Sequence, residues 1–181
     1  MGHITVINDY PVGVDALWDN CIDMSAMART MKGLLRYDGL RHGKAHQGLV
    51  LNYDVSLFGL LPARPSRVEF VELDRATLRF RTVETSEGLR AWNHTMQITE
   101  TPGGSRLSDT VEIEAEVAWQ TPLFERFARH VYRRRHAPRL AMLTGGAGPG
   151  RGSRRAAKPR DIIRTAGSGG SGWQRGTIPI G

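Results

Sequence analysis

The stretch that decides the fold is residues 89–117, LRAWNHTMQITETPGGSRLSDTVEIEAEV. Apolar and polar residues alternate on both sides of the turn Pro102-Gly103-Gly104-Ser105, and this period of two is typical of strands with one buried face. A connection this short requires the two strands to be antiparallel neighbours. The residues predicted to share the inward face are Trp92, His94, Met96 and Ile98 on the first strand and Leu107, Asp109, Val111, Ile113 and Val117 on the second.

More strands are predicted on the N-terminal side of this hairpin, together with two short helices. The helices are expected at residues 14–21, which have helical apolar spacing, and after Asp23 or Ser25, either of which could cap a second helix. Short turns separate the runs after these helices, so the strands should form an antiparallel meander. The remaining β-rich runs cover residues 4–7, 49–58, 68–73 and 78–84.

The last predicted element is a long helix. Thr121 is the expected N-cap and Pro122 the first helical residue, while Pro138 should kink or interrupt the helix because it lacks a backbone donor. A sheet with one apolar face and one long helix to cover it must curl around that helix. We therefore predict an α+β fold, a curved antiparallel sheet of about seven strands wrapped around a long C-terminal helix, with a cavity between them.

The charge of the chain is concentrated at its C-terminal end. The chain of 181 residues has a formal net charge of +7, but residues 1–144 carry only +1 of it. The other +6 lies in residues 145–181, where glycine-rich segments predict a flexible basic tail after a single domain of residues 1–144. The pattern Gly167-x-Gly169-x-x-Gly172 in this tail is interpreted as linker, since no strand precedes it to form a nucleotide site.

Several other classes are not supported by the sequence. A single cysteine, Cys21, leaves no intrachain disulfide and suits a reducing, cytoplasmic location. No stretch has the length and apolarity of a membrane span. His42 and His46 are four residues apart, but the glycines around them indicate a loop, so no metal and no cofactor are predicted.

Three local patterns resemble the START-like, or SRPBCC, superfamily. They are residues 4–18 with Asp23-Met24 after them, Trp92-Asn93-His94 followed by residues 107–111, and Phe124, Phe127 and residues 132–136 of the final helix. The resemblance covers residues 3 to about 144 and implies a helix-grip fold that binds a ligand in a central cavity, as in polyketide cyclases and lipid-transfer domains. The glycine-rich tail departs from that pattern.

Three polar residues on apolar faces are the candidates for chemistry. His94 and Asp109 lie on neighbouring strands, and with a turn at residues 101–104 Asp109 should face Met96 and lie diagonal to His94. Arg135 occupies the apolar stripe of the final helix, where a buried guanidinium needs an acceptor, with Asp109 and Glu84 as candidates. One hypothesis is a cluster of His94, Asp109 and Arg135 that holds a ligand's carbonyl, hydroxyl or carboxylate; the other is a core histidine beside a structural ion pair.

The sequence thus favours a module that binds an apolar or aromatic small molecule, such as a lipid, a quinone or a polyketide-like compound. The alternative is an enzyme of the cyclase or dehydratase type, in which His94 moves a proton and Arg135 polarises a carbonyl. A second alternative is non-specific binding of nucleic acid or an anionic surface by the basic tail, extended by the face from Arg126 to Arg139. The predicted ligand contacts are Tyr53, Val55, Phe80, Trp92, His94, Met96, Asp109, Phe127, Val131 and Arg135.

Overall fold

The chain folds around one antiparallel sheet of seven strands. The computed structural model describes residues 1–58 and 62–145, so the predicted basic tail lies outside the described residues except for Gly145. The strands follow the order β1-β7-β6-β5-β4-β3-β2 across the sheet, which confirms the predicted curved sheet and helix-grip arrangement. The strands are β1 (Gly2–Tyr10), β2 (Leu35–Asp38), β3 (Val50–Leu57), β4 (Arg64–Asp74), β5 (Arg79–Ser86), β6 (Leu89–Thr101) and β7 (Gly104–Ala115).

The long hairpin of β6 and β7 has the register that the alternation predicts. Met96 pairs with Asp109, and the strands close at the pair Thr101 and Gly104. The inward side chains of β7 are buried as far as Ala115, where the strand ends. Val117 therefore lies beyond the strand and is exposed, contrary to its predicted place on the inward face.

Two short helices connect β1 to the rest of the sheet, α1 (Val14–Ile22) and α2 (Met24–Thr30). Asp23 is the residue that caps α2, because its Oδ1 accepts hydrogen bonds from the backbone N–H groups of Ser25 at 2.7 Å and Ala26 at 3.1 Å. Ser25, the other predicted cap, instead lies 3.0 Å from His42 through its hydroxyl. The short strand β2 follows α2 and was not predicted.

The C-terminal helix consists of two segments, α3 (Thr121–Arg134) and α4 (His136–Leu143). The interruption falls at Arg135. In a continuous helix the N–H of residue 138 would donate to the carbonyl of Arg134, but residue 138 is a proline and has no N–H. Thr121 is not the N-cap as predicted; Gln120 occupies that position at the end of a short 3₁₀ turn. The Thr121 hydroxyl accepts a hydrogen bond from the backbone N–H of Ala115 instead.

The buried apolar residues form two clusters on the concave side of the sheet. The larger cluster joins α1 and α2 to β3–β7, with Leu17 and Trp18 of α1 almost fully buried. The smaller cluster joins α3 to β1 and β7 through Ala128 and Tyr132. None of the described helices is long and apolar enough to span a membrane.

The turn between β6 and β7 generates a stability prediction. Gly104 has a φ of +140°, and a Cβ there would overlap the Tyr10 carbonyl oxygen and lie 2.8 Å from the Val12 nitrogen. Gly104→Ala is expected to lower the free energy of unfolding by about 2 kcal/mol or more, measured by urea denaturation. Gly103→Ala is the matched control, because nothing lies within 4 Å of a Cβ at that position. Equal effects of the two changes would contradict this account.

Candidate functional site

A cavity of about 100 Å³ lies between the concave face of the sheet and the helices. Its wall is mostly apolar, and a few polar groups converge on it, which is the usual composition of small-molecule sites. The lining residues are Cys21, Met24, Met27, Met31, Leu35, Tyr37, Leu51, Tyr53, Val68, Phe70, Phe80, Thr82, Glu84, Trp92, His94, Phe127, Val131, Tyr132 and Arg135.

Strand pairing places the polar lining residues at the centre of the sheet. Glu84 of β5 pairs with Trp92 of β6, and Thr82 pairs with His94 in the adjacent row. Because side chains alternate between the two faces of a strand, residues two apart on β5 and β6 point to the same concave face. The sheet therefore presents two neighbouring pairs of cavity-lining residues, each with one titratable side chain.

His94 and Asp109 form a buried hydrogen bond across β6 and β7. The distance from His94 Nε2 to Asp109 Oδ1 is 2.8 Å, and the two side chains are 6% and 3% exposed. An ionised carboxylate can only accept, so Nε2 carries the proton and donates it to Asp109. The predicted diagonal neighbours are thus in direct contact, with the His94 ring packed edge-on against Phe80 and tilted against Tyr132.

The pKa of Asp109 reflects this pairing. Burial by itself would raise the pKa of the carboxyl group. The hydrogen bond from His94 and the charges of His94, Arg135 and Arg139 outweigh burial and hold the pKa below its ordinary value. Asp109 is therefore a carboxylate that already accepts a hydrogen bond from His94.

Arg135 is buried at the junction of α3 and α4, as its place on the apolar stripe predicted. The predicted partners are wrong, since neither Asp109 nor Glu84 forms an ion pair with Arg135 within residues 1–58 and 62–145. Asp109 is used by His94, and the guanidinium instead lies 5.0 Å from the ring centroid of Tyr132. The Arg135 Nε is buried and has no hydrogen-bond acceptor in the described part of the chain.

Glu84 is a second carboxyl group in the cavity wall. Its Oε1 accepts a weak hydrogen bond from the Thr82 hydroxyl at 3.3 Å. Burial raises the pKa of Glu84, although His94, the bond from Thr82 and Arg135 each oppose that effect. Glu84 is therefore expected to keep its proton to a higher pH than an exposed glutamate does.

Arg139 is a buried cation that the sequence analysis did not single out. Its side chain is 2% exposed, and its Nε donates a hydrogen bond to Asn20 Oδ1 at 3.1 Å. It follows Arg135 by four residues, so helical spacing on the apolar stripe was the signal that could have identified it. Because Arg139 is buried, it cannot extend an exposed basic face that begins at Arg126, contrary to the prediction.

The structure places seven of the ten predicted ligand contacts in the cavity wall and three elsewhere. Asp109 lies behind His94, and Met96 is buried in the core beside it. Val55 of β3 pairs with Tyr37 of β2. It follows Tyr53, the last residue of β3 that lines the cavity. The seven in the wall are Tyr53, Phe80, Trp92, His94, Phe127, Val131 and Arg135.

Part of the wall that the predicted ligand contacts missed comes from α1, α2 and β2. Met24, Met27 and Met31 line the cavity from α2 and the residue after it. Their spacing of three and four residues was visible, but it indicates only an apolar helix face. Cys21 of α1 also lines the cavity, where burial raises the pKa of its thiol and so disfavours the nucleophilic thiolate.

Solved structures with the same fold include several small proteins. Protein CV1439 from Chromobacterium violaceum superposes with a TM-score of 0.63 at 15% identity, covering 78% of this chain and 96% of that one. The structure of Ara h 8.0201 gives a TM-score of 0.63 at 12% identity, covering 80% and 98%. The AHSA1-like protein from Aeromonas hydrophila gives 0.55 at 14% identity, covering 80% and 94%. These similarities confirm the START-like helix-grip fold.

One family model matches most of the chain. No curated protein matches the sequence. A family described as "Domain of unknown function (DUF8410)" matches residues 11–142, which include every residue of the cavity wall. The chain therefore belongs to the DUF8410 family and has a START-like fold.

Proposed function

We propose that the chain binds an apolar or aromatic small molecule in the cavity between the sheet and α3. The observation that carries this proposal is a mostly apolar cavity wall to which His94, Glu84 and Arg135 contribute polar groups. Apolar side chains supply affinity in such sites, while a few polar groups fix orientation. The ligand is thus expected to be mostly apolar, with one polar end directed toward Arg135.

The size of the cavity limits the ligand. An engineered cavity of roughly 150 Å³ in another protein holds one benzene molecule. At about 100 Å³ this cavity is smaller, so it suits a short alkyl chain as it stands and a single ring after a modest movement of its wall. The wall formed by Met24, Met27 and Met31 is adaptable, because methionine is unbranched and polarisable. Larger quinones, lipids or polyketide-like compounds would require that wall to move.

An enzymatic role of the cyclase or dehydratase type remains an alternative, and one observation favours it. His94 lines the cavity while Asp109 holds its ring from behind, as a carboxylate orients the imidazole of a general base. In that role His94 would move a proton and Arg135 would polarise a carbonyl. If the chain is such an enzyme, His94→Gln is expected to lose turnover and to retain its affinity for the ligand.

Binding of nucleic acid or an anionic surface also remains a prediction. The cations of residues 145–181 would make most of these contacts, and all of them lie outside the described residues. Gly145, the one described residue of that range, is uncharged. Within the described helix α3, Arg126, Arg129, Arg133 and Arg134 are exposed. Affinity for DNA that persists unchanged after deletion of residues 145–181 would exclude a role for the tail.

Filling the cavity is the direct test of the proposed function. Val131 is 3% exposed and lines the cavity, so Val131→Phe is expected to occupy much of its volume. We expect toluene to bind the wild-type chain in an NMR titration of backbone amides, and its affinity to fall at least about tenfold in Val131→Phe. Any overpacking should cost about 1–3 kcal/mol of stability, so the variant is expected to remain folded.

Val71→Phe is the matched control for this experiment. Val71 lies at the irregularity of β4, is 37% exposed and does not line the cavity. The same substitution there should leave toluene binding unchanged. If wild type fails to bind toluene, or if both variants bind it as well as wild type does, the cavity is not a binding site.

The raised pKa of Glu84 generates a pH prediction. Because the pKa is higher in the folded chain than its ordinary value of 4.5, the folded chain binds more protons above about pH 4.5. The free energy of unfolding should therefore fall as pH rises through the folded-state pKa of Glu84. Glu84→Gln removes this loss, so its stability relative to wild type should increase between pH 4.5 and pH 8 in urea denaturation.

Glu112→Gln is the control for the pH series, because Glu112 is exposed on β7. Its stability relative to wild type should stay constant over the same range. If Glu84→Gln and wild type instead gave parallel stability curves, burial would not govern the Glu84 carboxyl group.

A further inference from the structure

Two hydrogen-bond donors in the cavity wall lack an acceptor. They are Nε of Arg135 and Nε1 of Trp92, both buried and without a partner in the described part of the chain. Guanidinium and indole N–H groups can only donate. A buried donor without a partner loses its hydration and gains nothing in exchange. The group that complements this wall is therefore a hydrogen-bond acceptor.

The buried charges show which kind of acceptor is missing. Among the described residues, the buried arginine, histidine and acidic side chains are Arg135, Arg139, His94 and Asp109. Asp109 is bonded to His94, and Arg139 donates to the neutral Asn20. Glu84 accepts a hydrogen bond from Thr82 and forms no ion pair with Arg135 in the described part of the chain. Arginine does not lose its proton in proteins, so Arg135 keeps a positive charge that no described carboxylate pairs with.

A surface groove beside the cavity has the same sign of charge. The groove shares Met24, Leu35 and Tyr37 with the cavity wall, so the two are adjacent. None of the described residues that line the groove carries a carboxylate. A cleft of one sign raises the local concentration of ions of the opposite sign. Its basic lining residues are Arg29, Lys32, His42 and Arg36, the last of which is paired with Asp38 outside the groove lining.

We infer that the ligand is a carboxylic acid, bound as its anion with the carboxylate at Arg135 and its ring or short alkyl chain against the apolar wall. This inference rests on the proposed function and specifies the ligand class. A carboxylate matches the planar donor fork of arginine, and the pair forms strong charge-assisted hydrogen bonds. It also supplies the counter-charge that no described residue gives to Arg135, and the basic groove attracts it toward the cavity.

The test compares two probes that differ only at the polar end, benzoate and toluene, on the full chain at neutral pH. We expect benzoate to bind at least about tenfold more tightly than toluene in NMR titrations. In Arg135→Met, which keeps the side-chain length and removes the charge, benzoate affinity should fall at least about tenfold. Toluene affinity should not change, because the apolar wall is intact.

Thermal unfolding gives an independent readout. Arg135→Met removes a buried charge that has no counter-charge, so its Tm should equal or exceed that of wild type in the absence of ligand. Added benzoate should raise the Tm of wild type and leave that of Arg135→Met unchanged. A Tm well below that of wild type would mean that Arg135 serves the fold and would overturn the inference.

Arg129→Met is the matched control, because it removes the same charge from an exposed position on α3. It should keep the preference for benzoate. If toluene binds but benzoate binds no more tightly, or if Arg129→Met lowers benzoate affinity as much as Arg135→Met, the acid specificity is wrong while the cavity function stands. If neither probe binds, the proposed function and this inference both fail.

Discussion

The hydrogen bond between His94 and Asp109 determines the electrostatics of the whole interior. It uses the only fully buried carboxylate among the described residues, and it lies on strands whose register leaves little freedom to either side chain. If Asp109 pointed toward α3 instead, it would supply a counter-charge to Arg135, and the buried positive charge beside the cavity would be balanced. Because Asp109 is directed at His94, Arg135 enters an apolar space in which no described carboxylate pairs with it.

The layers around the cavity differ in rigidity. The sheet side is formed mainly by β3–β6, and among these β4, β5 and β6 lie between two neighbouring strands that hold their backbone groups. Another part of the wall is formed by α2, a helix of only seven residues. Asp23 caps this helix, and methionine side chains line the cavity from it. A rigid floor and an adaptable wall allow the position of polar groups to stay fixed while the apolar volume changes. This arrangement fits a site that is specific for the polar group of its ligand and accepts apolar groups of different size.

Most of the fold could be predicted from the sequence because alternation along β3–β7 is regular and the connections are short. The strand β2 was missed because four residues after Gly33 are too few for a period to be recognised. The burial of His94, Asp109 and Arg135 followed from their places on apolar faces. Which of them pair did not follow, since that depends on distances between the sheet and α3 that no local pattern encodes. The cavity boundary depends on the same packing, and so Met96 and Val55 were wrongly placed in it.

The short strand β2 has a consequence for how copies of this chain meet one another. An open sheet ends in unpaired backbone groups, and β2 forms one of the two ends. It offers only four residues, and two of them, Arg36 and Asp38, are exposed and joined by an ion pair at 3.0 Å. A strand from another molecule would find few backbone groups to bond and would have to displace charged side chains. The brevity and charge of β2 therefore disfavour edge-to-edge pairing of another chain along β2 itself.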